Sequence, residues 1–266
     1  MTTVFFLFLV HLSLGLLAML PFVSARAGAR FFKFCSATAA FMTTAAVWLL
    51  WRRFGLVGGP GAPGGPLYRP MLAAVTVSLA GAVLYNRAQH FGWRRWAQPL
   101  LWAALAAGLA GTLLAAPAGP RWLVAAADLT SILLLGAAAA AMILGHWYLV
   151  VIDLPIAPLR RLTVLLVLGL VLRAAAIAVA LAGPGAEGWR DARMVAAGLW
   201  SPDGVFVWMR VLFGVAGPLS LIWFVWKTVE IRSTQSATGI LYVQLFLVLA
   251  GELLAKYLRV AAGFPL

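Results

Sequence analysis

The chain has 266 residues, of which 64% are hydrophobic and 10% are charged, and its formal net charge is +13 at pH 7. Soluble globular domains carry about 25% charged residues, so this composition excludes an ordinary water-soluble protein and indicates a polytopic membrane protein. The basic residues lie in short segments between apolar runs, which is typical of topology determinants that contact anionic lipid head groups and not of nucleic-acid binding. The single cysteine, Cys35, excludes an internal disulfide and a cysteine-ligated iron–sulfur cluster within the chain.

Hydropathy predicts an all-α bundle of about eight transmembrane helices in one domain that spans residues 1–266. The first apolar run lacks a basic leader and a clear small-residue cleavage site, so we interpret it as a retained helix. A Gly/Pro-rich surface loop is expected at 54–66, and a polar outer loop at 183–204 has room for a short amphipathic helix. Gly214, Gly217 and Pro218 are expected to kink the seventh helix. The predicted helices cover residues 2–24, 32–51, 67–86, 97–116, 122–152, 158–181, 205–229 and 238–263.

Loop charge predicts the orientation of the bundle. The loops after the first, third, fifth and seventh helices carry ten lysines and arginines, against six in the loops after the second, fourth and sixth. Because positively charged loops stay in the cytoplasm, this bias places both termini outside.

The last predicted helix carries the side chains on which the functional interpretation depends. It contains Glu252 and Lys256 within a run that is long and apolar enough to cross a bilayer. A carboxyl group in hydrocarbon must face protein or water, and it commonly has a function. One interpretation is a local ion pair on one helical face, with Lys256 reaching to the membrane surface. The other is that Glu252 lines a polar pocket that exchanges protons with a small redox ligand.

Ionisable residues of five predicted helices fall at similar depths. At a rise of about 1.5 Å per residue, His11 lies roughly 13 Å below the outer end of its helix. Glu252 and Arg173 each lie roughly 10 Å below the outer surface of a core about 30 Å thick. Asp128 and Arg210 enter from the same side by about one to two turns. Each has a simple explanation alone, such as a pairing of Arg173 with Asp128, but together they indicate a buried polar cavity open toward the outer face.

Two histidines near the inner face leave a second interpretation open. His146 lies at the inner end of the fifth predicted helix, and His90 lies in the loop after the third. This pair is the minimum for a bis-histidine haem b site. A hydrogen bond to a neighbouring helix is the simpler role for His146. With three histidines in the whole chain, two such haems are excluded.

The absence of several catalytic motifs excludes common classes of membrane enzyme. The sequence has no P-loop, no zincin histidine pair, no nucleophile elbow and no paired aspartates for magnesium. A few clustered protonatable residues suit a quinone site, which binds an apolar ring, hydrogen-bonds its two oxygens and exchanges protons near water. Glu252 or His11 would accept a proton, and Arg210 or Lys256 would hold a carboxylate or semiquinone charge. The candidate ligand-binding residues are Arg210, Lys256, Arg173, Asp128 and His146.

The run Leu-Val-Leu-Ala-Gly-Glu-Leu-Leu-Ala-Lys at 247–256 resembles the last helix of the membrane-anchor subunits of the dimethyl sulfoxide reductase and polysulfide reductase (NrfD-like) family. Lys256 stands where that family has an arginine. The resemblance implies an anchor in the bacterial inner membrane that carries no cofactor of its own. Such an anchor would exchange electrons and protons with quinol near the outer face. It would pass electrons to an iron–sulfur partner subunit, itself next to a molybdenum-type catalytic subunit.

Two more functions stay open beside the quinol-linked subunit and the haem b electron carrier. A transporter or channel would move a substrate without a redox partner. A structural subunit of a larger membrane complex would have no site at all, and changes at Glu252 or His11 would leave the activity of that complex unchanged.

Overall fold

The computed structural model describes residues 1–115, 121–151, 154–182 and 202–261. Within these ranges the regular elements are all helices, and no strand is present. Eight segments of the described chain are long and apolar enough to cross a membrane. This confirms the predicted polytopic bundle, and the physical reason is general: a helix satisfies its own backbone hydrogen bonds where lipid cannot.

The helices are α1 (Thr2–Met19), α2 (Gly28–Phe54), α3 (Tyr68–Phe91), α4 (Arg94–Leu114), α5 (Arg121–Trp147), α6 (Ala157–Ala182), α7 (Pro202–Val211), α8 (Gly217–Glu230) and α9 (Thr234–Ala261). A π-helical segment, Leu212–Ala216, joins α7 to α8, so these two helices form one span. The helix geometry therefore changes where Gly214, Gly217 and Pro218 were expected to interrupt it.

Several helices end at different residues from those predicted. α2 begins at Gly28, and α3 continues to Phe91, because helices extend past the apolar run when basic side chains reach to the membrane surface. His90 consequently lies in the last turn of α3 and not in the following loop. α5 instead stops at Trp147, and the turn after it is held by Tyr148, whose hydroxyl donates to the carbonyl of Pro155 at 2.5 Å. Burial raises the pKa of Tyr148 to about 12, so this phenol remains a neutral donor.

The predicted Gly/Pro-rich loop at 54–66 is a series of turns that packs against α3. Gly58 has a φ of 83°, a region that favours glycine, and a Cβ there would press on the ring of Tyr68. The Tyr68 hydroxyl donates to the carbonyl of Gly55 at 2.8 Å. This loop is therefore tied to the start of the next helix. The predicted amphipathic helix of the 183–204 loop lies outside the described residues, and α7 begins at Pro202.

Small residues bring the helix backbones close together. A Cβ on Gly15 of α1 or on Gly136 of α5 would overlap the backbone of the other residue, and Gly214 and Gly251 approach each other in the same way. Gly81 of α3 packs directly on α4. Since lipid gives helices no hydrophobic reason to associate, such close van der Waals packing is a main source of their affinity.

The helices differ in how deeply they lie within the bundle. The most apolar 18-residue stretches of α1 and α5 are each 72% buried, whereas that of the α7–α8 span is 22% buried. α1 and α5 are therefore central, and α7–α8 is peripheral. Polar side chains on the inner faces of α1 and α5 are consequently shielded from lipid.

Candidate functional site

Ionisable side chains and one serine from five helices meet inside the bundle, and we refer to these residues as the ionic cluster. The members are His11 of α1, Asp128 and Ser131 of α5, Arg173 of α6, Arg210 of α7, and Glu252, Lys256 and Arg259 of α9. Each is at most 6% exposed. The structure thus brings together the five residues that the sequence placed at similar depths in the membrane. Lys256, Ser131 and Arg259 join them.

Glu252 lies at the centre of the ionic cluster. Arg173 Nε and Arg210 Nη2 each donate to Glu252 Oε1 at 2.8 Å. Arg173 Nη2 donates to Oε2 at 3.3 Å, and Ser131 Oγ donates to the same oxygen at 2.5 Å. Two guanidinium groups and one hydroxyl therefore satisfy both carboxylate oxygens, which is what a buried carboxylate requires.

Lys256 points into the ionic cluster and does not reach the membrane surface. Its side chain is 2% exposed, and Nζ donates to Ser131 Oγ at 2.9 Å. The distance from Nζ to Glu252 Oε2 is 3.9 Å, so the local ion pair exists but is long. His11 Nδ1 lies 3.4 Å from the same Ser131 hydroxyl. Ser131 thus links the lysine, the carboxylate and the histidine.

Asp128 forms a second centre beside the first. Arg259 Nη1 donates to Asp128 Oδ1, and His11 Nε2 lies 3.6 Å from the same oxygen. The latter distance is too long for a hydrogen bond, although it is short enough for a charge contact. Asp128 therefore pairs with Arg259 rather than with Arg173, which donates from Nη1 to the backbone carbonyl of Ala127 at 3.1 Å.

Several buried polar atoms have no hydrogen-bond partner among the residues that the structure describes. They are Arg210 Nε and Nη1, Arg259 Nη2, His11 Nε2, Asp128 Oδ2 and both amide atoms of Gln244. The Gln244 atoms lie apart from the others, because Gln244 is eight residues before Glu252, about 12 Å along α9. Buried polar groups in proteins nearly always find partners, so this concentration of unsatisfied atoms indicates a position for a ligand or for water.

The charge of the ionic cluster is unbalanced among the described side chains. Four cationic residues, Arg173, Arg210, Lys256 and Arg259, face two carboxylates, Asp128 and Glu252. In a low-dielectric interior, an excess of positive charge favours a ligand that carries negative charge or accepts hydrogen bonds.

The π-helical segment makes room for Arg210. A Cβ on Gly214 would overlap Arg210 Nη1, and Gly214 packs against Gly251, the residue before Glu252. The lack of side chains at these two glycines lets the guanidinium lie beside the carboxylate. Segments of π-helix are frequent at functional sites, where they redirect side chains.

The other two histidines lie away from the ionic cluster and have different partners. His146 lies fifteen residues beyond Ser131 on α5, about 22 Å along the helix, and its Nδ1 is 3.3 Å from the Tyr242 hydroxyl of α9. His90 Nδ1 is 3.3 Å from Lys33 Nζ of α2. His146 therefore makes the contact with a neighbouring helix that its simpler interpretation predicted. No group of three or more His, Cys, Asp or Glu placed to hold a metal ion occurs among the described residues.

An opening of this site toward the outer face stays a prediction. The ionic cluster is a closely paired network with almost no exposed surface. Ser131 and Arg259 are members that the sequence interpretation did not name. Helical spacing was the available signal, because Ser131 follows Asp128 by three residues and Arg259 follows Lys256 by three.

Comparisons with family models, with curated proteins and with solved structures find no match. The fold and the ionic cluster therefore define a class only: a polytopic helical membrane protein with an ionic network buried between five helices.

Proposed function

We propose that the protein is an integral membrane subunit of a respiratory oxidoreductase complex, and that the ionic cluster binds quinone or quinol. The observation that carries this proposal is the set of buried N–H groups on Arg210 and Arg259 that have no partner within the described part of the chain. A quinone offers two oxygen acceptors on an apolar ring, and an excess of cationic donors favours such acceptors.

Arg210 is the first candidate to contact the quinone head group. Its Nη2 donates to Glu252 at 2.8 Å, while Nε and Nη1 have no partner in residues 1–115, 121–151, 154–182 and 202–261. A guanidinium fixed on one side is a preorganised donor on the other. It would orient a quinone oxygen and stabilise the negative charge that develops there on reduction.

His11 is the candidate that exchanges protons with the ligand. Its Nε2 has no hydrogen-bond partner among the described side chains, and Asp128 Oδ1 lies 3.6 Å away. An imidazole nitrogen without a hydrogen-bond partner is placed to accept or donate a proton, as quinone chemistry requires. Glu252 has a different role in this proposal, because its oxygens already accept from Arg173, Arg210 and Ser131. It positions the two guanidinium groups.

The proposal also states at which face of the membrane the quinone binds and which subunits receive its electrons. The ionic cluster lies toward the end of the bundle where α1 begins and α9 ends, and loop charge assigns that end to the outer face of a bacterial inner membrane. The segment of α9 that resembles the NrfD-like anchors contributes Glu252 and Lys256 to the cluster. An iron–sulfur subunit docked at this end would relay electrons between the quinone and a catalytic subunit.

A photoreactive short-chain quinone tests this proposal on the purified protein. Peptide mapping should place the label on α7 or α9, and Arg210→Gln should remove most of the labelling. Arg232→Gln is the matched control, because Arg232 is an exposed arginine at the other end of α8. Equal labelling of wild type and Arg210→Gln, or a label confined to the lipid-facing surface, would refute the assignment.

A further inference from the structure

We infer that the crevice between α3 and α4 is a binding site for an anionic phospholipid. This site lies at the end of the bundle opposite the ionic cluster, where α3 ends and α4 begins. It is independent of the proposed quinone chemistry.

The first observation is the charge of this part of the chain. Residues 1–127 contain ten lysines and arginines and no aspartate or glutamate. Exposed cations here thus have no carboxylate of their own region to pair with. Lys33, for example, has a histidine as its hydrogen-bond partner, with Lys33 Nζ 3.3 Å from His90 Nδ1. The described side chains that line the crevice include Arg95 and no aspartate or glutamate, so the crevice favours a head group of net negative charge over one that carries an ammonium group.

The second observation is the shape of the crevice. Gly92 has a φ of 72°, and the chain reverses there directly from α3 into α4. The reversal leaves a crevice of about 720 Å³ lined by Leu84, Gly92, Trp93, Arg95, Trp96 and Leu100. A volume of this size accommodates a head group together with the first part of its acyl chains.

The third observation is the order of the side chains along the crevice. The Arg95 guanidinium lies over the ring of Trp96, 5.6 Å from its centroid. Trp93 and Trp96 are about half exposed, and indole rings prefer the depth of lipid head groups. Leu84 and Leu100 form the apolar wall beyond them. A phosphate would bind at Arg95, the glycerol region would lie between the two indoles, and the acyl chains would follow the two leucines.

Native mass spectrometry of the purified protein tests the inference, with phosphatidylglycerol and phosphatidylcholine as the two probes. Wild type should retain more phosphatidylglycerol, and Arg95→Gln should lower that retention about five-fold, because one basic residue near anionic lipid contributes about that factor. Arg52→Gln is the matched control. The Arg52 guanidinium lies over the Trp48 ring at 5.4 Å in the same manner, but at the other end of the bundle.

A second variant separates the shape of the crevice from its charge. Leu84→Trp fills the apolar wall, leaves every charge in place and changes a side chain that is 48% exposed, so the fold is kept. Retention of phosphatidylglycerol should fall here as well. Equal losses in Arg95→Gln and Arg52→Gln would show a general surface-charge effect and overturn the site. Equal retention of the two lipids by wild type would overturn it as well.

Discussion

The α3–α4 pair and the group formed by α5, α6, α7 and α9 hold their helices together by different means. Between α3 and α4, Gly81 packs on Ala104, and Ser78 Oγ donates to the Ala104 carbonyl at 2.7 Å. These contacts are uncharged. In the other group, Glu252 ties α9 to Arg173 of α6 and to α7 through charged hydrogen bonds.

The difference shows that this bundle can assemble helices without buried ions. Small residues and single hydroxyl groups suffice for α3 and α4, as they do in many membrane proteins. Buried ion pairs are seldom more stabilising than apolar packing of the same volume. The ionic cluster is therefore better explained by a function than by a need of the fold.

Glu252→Gln should have the largest effect on stability. It leaves Arg173 and Arg210 without their carboxylate, and breaking a buried pair in this way costs about 3–5 kcal/mol. Thermal and denaturant unfolding in detergent would measure the loss. Glu230→Gln, which breaks the exposed Lys227–Glu230 pair, should unfold like wild type. Equal stability of the two variants would contradict the central position given to Glu252.

Ser131→Ala should cause the second-largest loss of stability. The hydroxyl donates to Glu252 and accepts from Lys256, and hydrogen bonds to charged groups contribute about 1.5–3 kcal/mol. The same unfolding assay applies. A loss below that of an uncharged hydroxyl contact elsewhere in the bundle would mean that Ser131 does not link the charged groups.

Gly251→Ala tests the close approach that makes room for Arg210. A Cβ at this position would overlap Gly214, and overpacking of this kind costs about 1–3 kcal/mol. Gly239→Ala on the same helix has open space around its Cβ and should raise stability slightly, because alanine favours a helix over glycine by about 0.5–1 kcal/mol. If both variants unfold alike, the contact between α9 and the π-helical segment is looser than described.

Ser78→Ala should have the smallest effect and completes the comparison. It removes one hydrogen bond between α3 and α4, and such bonds contribute about 0.6 kcal/mol on average in membrane proteins. If Ser78→Ala loses as much stability as Ser131→Ala in the same unfolding assay, the two regions do not differ in the strength of their hydrogen bonds.

The spans were predictable because a bilayer allows a single chain few solutions for its backbone hydrogen bonds. The helix ends were less predictable. α9 starts at Thr234 and not at 238, since the polar residues Thr234, Gln235 and Ser236 continue the helix past its apolar run. The sequence predicted only a kink where the π-helical segment lies, because glycine and proline indicate where a helix changes but not how.

The depth of each charged residue in the membrane was enough to predict that these residues meet. It was not enough to predict which of them form pairs. The rise of a helix fixes the depth of Arg173 and Asp128 in the membrane. Rotation about the helix axis and the reach of a long side chain decide the partner, and neither is visible in one sequence. Arg173 consequently binds Glu252, and Asp128 binds Arg259.

The most direct test of the account is the affinity of the purified protein for a short-chain quinone, measured by titration. Arg210→Gln and His11→Ala should each weaken binding at least about ten-fold, as expected for loss of a charged or buried hydrogen bond. Arg95→Gln, at the other end of the bundle, should bind like wild type. Unchanged affinity in folded Arg210→Gln and His11→Ala proteins would show that the ionic cluster is not the quinone site.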